Sequence, residues 1–263
     1  MYKRKFIDVD ESTLKKPVAI VGLPGIANVG RVAVESLVES LDAVHFMDFF
    51  SDDFPPRVIV KDGISEFPTS SMYLYRAAPD EPNDVILLTA EYQPSSGQGV
   101  FAYADFVAQE FAKIGVLEVF AVAAYEQGYE DFLGTFPAGP RVYVSASSQD
   151  LLRRITAIDG FAVAMNGVIN GANGVIPAWA ASMYNMESAC LLGETMGVIK
   201  MDFRAAKAVL DKLGQLIGLK TDFAFLDERV LKVIQFIEWA RDEVSQKGSR
   251  SDTSESPPDR YIG

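Results

Sequence analysis

A glycine-bearing segment near the start of the chain has the residue types of an anion-binding turn. It reads GLPGIANVG over residues 22–30 and follows a short apolar run. Backbone N–H groups at a strand-to-helix turn can hold a phosphate or a carboxylate, which makes Gly22, Gly25, Asn28 and Arg31 candidate ligand-binding residues. Because the spacing matches neither the dinucleotide fingerprint nor the P-loop, a turn that lets the helix pack close to the sheet is the favoured interpretation.

A second segment, NGVINGANG at 166–174, has a similar composition. Asparagine and glycine tolerate a positive φ and leave backbone polar groups accessible just before a predicted helix. A pair of tight turns is the favoured interpretation, and a ligand-binding loop is the alternative.

Two carboxylates follow predicted buried strands. Glu91 comes after the strand at 84–90, and Glu194 ends the strand at 188–194. Open parallel sheets bind ligands at the carboxyl ends of their strands, so this pair could do acid–base chemistry or hold a metal. Carboxylates at strand ends also cap helices and accept hydrogen bonds from loop amides, and this structural role is favoured.

The remaining reactive residue types are scarce. His45 is the only histidine and Cys190 the only cysteine. This excludes an intramolecular disulfide and multi-cysteine zinc sites, and it makes Ser-His-Asp or Cys-His catalysis hard to build. We interpret His45 as a strand residue with a satisfied side chain and Cys190 as a buried, inert thiol. No catalytic residue, metal site or cofactor is assigned, and an enzyme is the less favoured class.

The elements that position these residues alternate between strands and helices. Apolar, β-branched runs predict strands, and three- and four-residue spacing of apolar side chains predicts helices. The predicted strands lie at 17–24, 43–50, 58–60, 70–77, 84–90, 116–125, 141–146 and 188–194. Five helices are predicted: one from Val29, one over 101–114, one near 175–184, one that follows Asp202 as its N-cap, and one from about 227 to 245. This alternation predicts an α/β fold with a mainly parallel sheet and helices on both faces.

Composition and charge disfavour two classes of binding partner, nucleic acids and membranes. The chain has 263 residues, and its net charge of −12 repels nucleic acid phosphates and anionic lipid headgroups. No run is long and apolar enough for a membrane span, so we expect a cytoplasmic protein with neither a nucleic acid nor a membrane partner. We expect an N-terminal extension over 1–16, one core domain over 17–245 and a flexible tail over 246–263.

Taken together and in order, several segments resemble the archaeal branch of the proteasome assembly chaperone 2 family. They are GLPGIANVG (22–30), FPPRVIV (54–60), NGVINGANGVIPAW (166–179), ACLLGET (189–195) and DFRAAKAVLDKLGQLIGL (202–219). The resemblance implies a fold similar to that of purine nucleoside phosphorylases, assembly into homo-oligomers, and binding to the proteasome core particle or its α subunits.

The end of the sequence bears on that resemblance. Family members that act on proteasomes end in a hydrophobic residue, a tyrosine and any residue, and this tail docks between α subunits where a lysine receives its carboxylate. Here the chain reads RYIG, so Tyr261 is third from the end and Arg260 takes the hydrophobic position. The resemblance therefore implies partner contacts by Tyr261, Ile262 and Gly263 that approximate the family pattern.

Two functions of different classes follow. The first is a proteasome assembly chaperone-like or adaptor protein, whose homo-oligomeric core presents C-terminal tails to proteasome α subunits. The alternative is a small-molecule-binding protein or enzyme on a phosphorylase-like scaffold, with an anion held at the Gly22–Gly30 turn and Arg31, Glu91 or Glu194 near the substrate. Convergence of these groups in one pocket would favour the alternative.

Overall fold

The structure is a computed structural model that describes the backbone of residues 1–250 and their side chains except those at 137 and 243–250. Eleven strands are present in this range: β1 (Tyr2–Lys5), β2 (Val18–Gly22), β3 (Val44–Phe50), β4 (Ile59–Lys61), β5 (Ile64–Glu66), β6 (Ser70–Tyr75), β7 (Val85–Ala90), β8 (Glu118–Glu126), β9 (Val142–Ala146), β10 (Phe161–Val163) and β11 (Glu187–Thr195). Seven α-helices accompany them: α1 (Val29–Ser40), α2 (Gly97–Lys113), α3 (Tyr129–Thr135), α4 (Gln149–Thr156), α5 (Ala172–Tyr184), α6 (Phe203–Ile217) and α7 (Asp227–Arg250).

Nine of the strands form one mixed sheet in the order β1-β3-β6-β7-β2-β8-β11-β9-β10. The four central strands, β7, β2, β8 and β11, are parallel to one another. Antiparallel pairs join β1, β3, β6 and β7 on one side, and β11 with β9 on the other. The short strands β4 and β5 pair separately as an antiparallel hairpin. The parallel strands that the sequence predicts therefore form the centre of the sheet, and antiparallel strands flank them.

Two apolar cores lie on opposite faces of this sheet. Alternation along β2 sends Val18 and Ile20 into the core beneath α1, α4 and α6, and Ala19 and Val21 into the core beneath α2 and α5. All four side chains are buried, as expected for a strand that helices cover on both faces. The α/β class with helices on both faces is confirmed.

Helix starts follow the capping residues of the sequence. Asp202 is the N-cap of α6, as predicted, and its carboxylate accepts hydrogen bonds from the backbone N–H groups of Arg204 and Ala205. Ser96 caps α2 through a hydrogen bond from Gly99 N. The helix predicted near 175–184 is α5, and it begins three residues earlier than predicted, at Ala172.

The single histidine and the single cysteine have structural roles, as the sequence indicates. His45 Nε2 lies 2.7 Å from Asp48 Oδ1, and its ring lies between those of Phe6 and Tyr73. Cys190 is buried, and burial raises the pKa of its thiol to about 12. At neutral pH the thiol therefore stays protonated and is a poor nucleophile.

Within the described part of the chain, no helix combines the length and apolar character needed to cross a membrane. The same residues contain no group of three or more histidine, cysteine, aspartate or glutamate side chains arranged to hold a metal ion.

Candidate functional site

The two glycine-bearing segments meet at the carboxyl end of the central strands. Leu23 N donates a hydrogen bond to Asn173 Oδ1 at 2.9 Å, and Asn173 Nδ2 donates to Leu23 O at 3.0 Å. This two-way amide pair is buried and joins residues 150 positions apart. The turn after β2 is thereby fixed against the first turn of α5.

Gln93, in the loop after β7, strengthens the same junction. Its Oε1 accepts a hydrogen bond from Ala172 N at 2.7 Å, and its Nε2 donates to Pro24 O. One side chain thus satisfies the first N–H group of α5 and a carbonyl of the turn after β2. Nothing in the sequence near Gln93 indicates this role, because both partners lie far away along the chain.

Gly22 and Gly30 allow α1 to approach the sheet closely. A Cβ atom on Gly30 would lie 2.2 Å from Val122 O of β8, and a Cβ atom on Gly22 would lie 2.1 Å from Gly30 O. Both distances are far below van der Waals contact, so only glycine fits at either position. The structural interpretation of these two glycines is confirmed.

A cavity of about 470 Å³, the carboxyl-end cavity, opens beside this junction. Gly25 and Asn173 line it, together with the last residues of β8 and the loop after β10. The backbone N–H of Asn28 does not face a free site there, because it donates to Gly25 O at 3.0 Å. The turn therefore supplies walls to this cavity, while the Asn28 N–H that the anion hypothesis needs is already engaged.

Arg31 and Glu91 line a different cavity, the hairpin cavity, of about 720 Å³. It lies between the start of α1, strands β3, β6 and β7, and the β4–β5 hairpin. Arg31 Nε pairs with Glu35 at 2.6 Å, and Glu91 pairs with Lys61 Nζ at 2.8 Å. Each of the two predicted residues thus already has a partner of opposite charge.

Glu194 is buried at the end of β11 and is fully engaged in hydrogen bonds. Its carboxylate accepts from Arg141 N at 2.9 Å, from Arg141 Nη2 at 3.0 Å, from Gln127 Nε2 at 2.8 Å and from Thr135 Oγ1 at 3.1 Å. Burial by itself would raise the pKa of Glu194, but these hydrogen bonds and the charge of Arg141 lower it below the ordinary value. Glu194 is a structural anion, as favoured above.

The six predicted ligand-binding residues therefore do not converge. Gly25 lines the carboxyl-end cavity, Arg31 and Glu91 line the hairpin cavity, and the three others line neither: Gly22, Asn28 and Glu194. Tyr125 and Glu126 line the carboxyl-end cavity at the end of β8 and are not among the residues predicted from the sequence. The rule that selected Glu91, a polar residue at the end of a buried strand, would also have selected Glu126.

The other notable surface is apolar and lies along α7. Leu231, Phe236 and Trp239 are 52%, 43% and 60% exposed. Beside them is a groove of about 490 Å³, the α7 groove, lined by Val198, Ile199, Lys200, Met201, Phe203, Arg229, Lys232, Val233 and Phe236. Exposed aromatic side chains grouped on one helix are typical of a protein-binding surface. The predicted contacts Tyr261, Ile262 and Gly263 lie outside the described residues.

Comparison with known structures shows the relation of this fold to two archaeal proteins. The structure of Pyrococcus furiosus PbaB, described as an archaeal proteasome activator, is 27% identical and superposes with a TM-score of 0.79, covering 91% of this chain and 98% of that one. Pyrococcus furiosus PbaA, described as an archaeal homolog of proteasome-assembly chaperone, is 22% identical with a TM-score of 0.68, covering 96% and 100% of the two chains. The second likeness supports the fold alone.

Sequence comparison leads to the same group. The uncharacterized protein MJ1210 of Methanocaldococcus jannaschii is 32% identical over 268 aligned positions, which cover 99% of this chain and 96% of that protein. The model of the PAC2 family matches residues 19–238, which include the central sheet apart from β1 and the first residue of β2, and the helices up to the middle of α7. The chain belongs to the PAC2 family.

Proposed function

We propose that this protein is a proteasome assembly chaperone-like or adaptor protein, a homo-oligomer that presents its C-terminal tails to the α subunits of the proteasome core particle. The observation that carries the proposal is the likeness to PbaB, which extends over nearly the whole of both chains and has a TM-score of 0.79. The engagement of the predicted ligand groups also supports it, because Arg31, Glu91 and Glu194 already have partners within the fold.

The proposed tail contacts are those that the family resemblance implies, and general binding physics supports them. Tyr261 offers a large aromatic surface that loses little rotamer entropy on docking, Ile262 adds apolar area, and a carboxylate at Gly263 pairs with a lysine of the partner. One such peptide binds weakly. Several tails displayed by one oligomer bind together, and the high effective concentration of the second tail raises the overall affinity by orders of magnitude.

Removal of Tyr261–Gly263 is expected to weaken binding to the core particle strongly. The truncation deletes the aromatic anchor of every tail, and avidity multiplies the loss, so we expect an apparent affinity at least tenfold weaker. Biolayer interferometry on immobilised core particle from the host organism measures this directly. Tyr261→Ala should reproduce most of the loss, and Ser254→Ala, in the same tail, should bind like the full chain. Equal binding by the truncated and full chains would exclude the tail as the docking element.

Self-association is proposed to use the apolar surface of α7. Only Val233 and Ile237 are buried among residues 231–242, so the aromatic side chains of this helix remain available to another copy. A partner helix could cover Phe236 and Trp239, whose ring centroids lie 6.1 Å apart. Aromatic residues of this kind commonly dominate interface energies.

The double variant Phe236→Ser/Trp239→Ser is expected to dissociate the oligomer. It removes two large apolar side chains that contribute little to the core of a single copy, since both are exposed there. Light scattering coupled to size-exclusion chromatography should show the mass falling toward the 28.8 kDa of one chain. Glu238→Ser, on the same helix, is the matched control and should keep the wild-type mass. This interface would be ruled out if the wild-type protein had the mass of one chain, or if the double variant kept the mass of the wild-type oligomer.

A further inference from the structure

The β4–β5 hairpin is a local structure that the rest of the fold covers only in part. Asp62 and Gly63 connect its strands, and both have a positive φ, of 51° and 80°. An Asp-Gly pair in this conformation is the preferred two-residue turn of a hairpin. Every residue of the two strands is exposed except Ile59, which is partly buried. Among the described strands, β4 and β5 pair with each other alone, and a two-stranded hairpin is marginally stable in water, so a surface that covers it adds stability.

Apolar side chains are exposed on one face of this hairpin and beside it. Tyr2, Val58, Val60 and Phe67 are each more than half exposed. Val60 pairs with Ser65, and side chains two residues apart along a strand lie on the same face, so Val58 and Phe67 continue the face of Val60. Single exposed apolar residues are common, but a group confined to one region is typical of a protein-binding surface. We call these four apolar residues, with the groove beside them, the hairpin surface.

The groove has a volume of about 780 Å³, and we call it the proline groove. Val58 and Phe67 line it together with Tyr2, two further phenylalanines and three prolines. Because proline fixes its own backbone and aromatic rings have few rotamers, such a groove keeps its shape. The hairpin surface thus has an apolar ridge at Val60 beside an apolar groove. A surface of this form is complementary to itself, since a two-fold axis can place the ridge of each copy in the groove of the other.

The charged groups of the proline groove fit the same arrangement. Asp52 and Arg57 are its charged lining residues, and both are exposed. Within the part of the chain that the structure describes, neither makes an ion pair, and the Arg57 guanidinium carbon lies 5.4 Å from the centre of the Tyr92 ring. A two-fold axis can set Arg57 of each copy against Asp52 of the other. Because a net charge of −12 makes copies of this chain repel one another, a region with one exposed charge of each sign favours contact there.

We infer that the hairpin surface binds the hairpin surface of a second copy, with Val60 of each copy in the proline groove of the other and Arg57 paired with Asp52 across the contact. The inference rests on the proposed homo-oligomer, to which it adds a second contact besides α7. The apolar area offered is a few hundred Å², whereas a stable interface buries about 800 Å² on each partner. The hairpin contact is therefore too small to hold two isolated copies. It joins copies that α7 has already paired, where several contacts form at once.

Sedimentation velocity on the full chain, over a range of concentrations, tests the contact. The wild-type protein should exceed the mass of two chains of 28.8 kDa each. Val60→Lys places a charge in the groove of the other copy, so this variant should fall to the mass of two chains. Val168→Lys changes another exposed valine, which does not line the proline groove, and should keep the wild-type mass. A mass that Val60→Lys leaves unchanged at two chains or more would overturn the inference alone, whereas a wild-type mass of one chain would contradict the homo-oligomer itself.

An exchange of the two charges tests whether the occupant is a second copy. Asp52→Arg and Arg57→Asp each set like charges against each other across the contact, so each variant should have the mass of two chains. Asp52→Arg/Arg57→Asp restores both pairs with reversed sign and should regain the wild-type mass. An equimolar mixture of the two single variants should do the same, because one supplies only cations and the other only carboxylates. If the double variant or the mixture stays at two chains, the inference is overturned. Circular dichroism spectra confirm that each variant is folded.

Discussion

Gly30→Ala is expected to lower the free energy of unfolding by about 3 kcal/mol or more, a large effect for one added methyl group. The new Cβ atom would lie 2.2 Å from Val122 O, a backbone atom that cannot move aside by changing rotamer. Helix α1 would have to shift away from β8, and its buried residues Val29 and Ala33 would lose contact with the sheet. Urea unfolding followed by circular dichroism, at matched protein concentration, measures the change.

Gly97→Ala is the control for this substitution. Gly97 is the first residue of α2, and its Cβ position has no atom within 4 Å. Alanine there adds no clash and lowers the conformational freedom of the unfolded chain, so stability should stay equal or rise by a few tenths of a kcal/mol. A Gly30→Ala protein within about 1 kcal/mol of wild type would show that α1 can move away from β8 at little cost, against the close packing described above.

Asp202→Ala is expected to cost about 3–5 kcal/mol, because it leaves a buried charge without its partner. Asp202 Oδ2 accepts hydrogen bonds from Thr195 Oγ1 at 2.7 Å and from Arg204 Nη2 at 3.2 Å. Asp202 is fully buried, and Arg204 is 6% exposed with its guanidinium carbon 4.9 Å from the centre of the Phe132 ring. The same substitution removes the N-cap of α6, which contributes about 1 kcal/mol of the loss.

Three further variants separate these contributions. Asp202→Asn keeps an acceptor for the helix cap, so it should lose less than Asp202→Ala. Asp202→Ala/Arg204→Met removes both charges and should regain about 2 kcal/mol relative to Asp202→Ala, because an apolar replacement of a buried pair is often close to neutral. Asp222→Ala removes an exposed aspartate that accepts from Ala224 N, and should cost below about 1 kcal/mol. A double variant no more stable than Asp202→Ala would mean that the buried charge is not what makes the substitution costly.

Local elements could be predicted from the sequence because their signals are local. Asp202 precedes an amphipathic run with the spacing of a helix, and it is the N-cap of α6. Val18 to Gly22 form a buried strand, as a short β-branched run between a proline and a glycine-proline turn indicates. The role of Thr195 could not be predicted, because it depends on β11 ending beside the start of α6.

The distance between Glu91 and Glu194 depends on the order of the strands in the sheet, which could not be predicted from the sequence. Glu91 and Glu194 both stand at the carboxyl ends of buried strands, as predicted, but β2 and β8 lie between β7 and β11. Three strand spacings separate the two strands by about 14 Å, too far for both carboxylates to act on one substrate atom. Glu194 instead meets Arg141, 53 residues away, which no local pattern links to it.

The edge strand β1 limits how copies of this protein can join. It lies at one end of the nine-stranded sheet and carries three consecutive cations, Lys3, Arg4 and Lys5. Lys3 and Lys5 pair with Glu110 and Asp8, so Arg4 carries the unneutralised charge of this edge. Two copies that paired antiparallel around Arg4 would set one guanidinium against the other, and like charges directly opposite each other destabilise pairing. Growth of one sheet from copy to copy is therefore disfavoured at this edge, which protects a chain with 49% hydrophobic residues from forming fibres there.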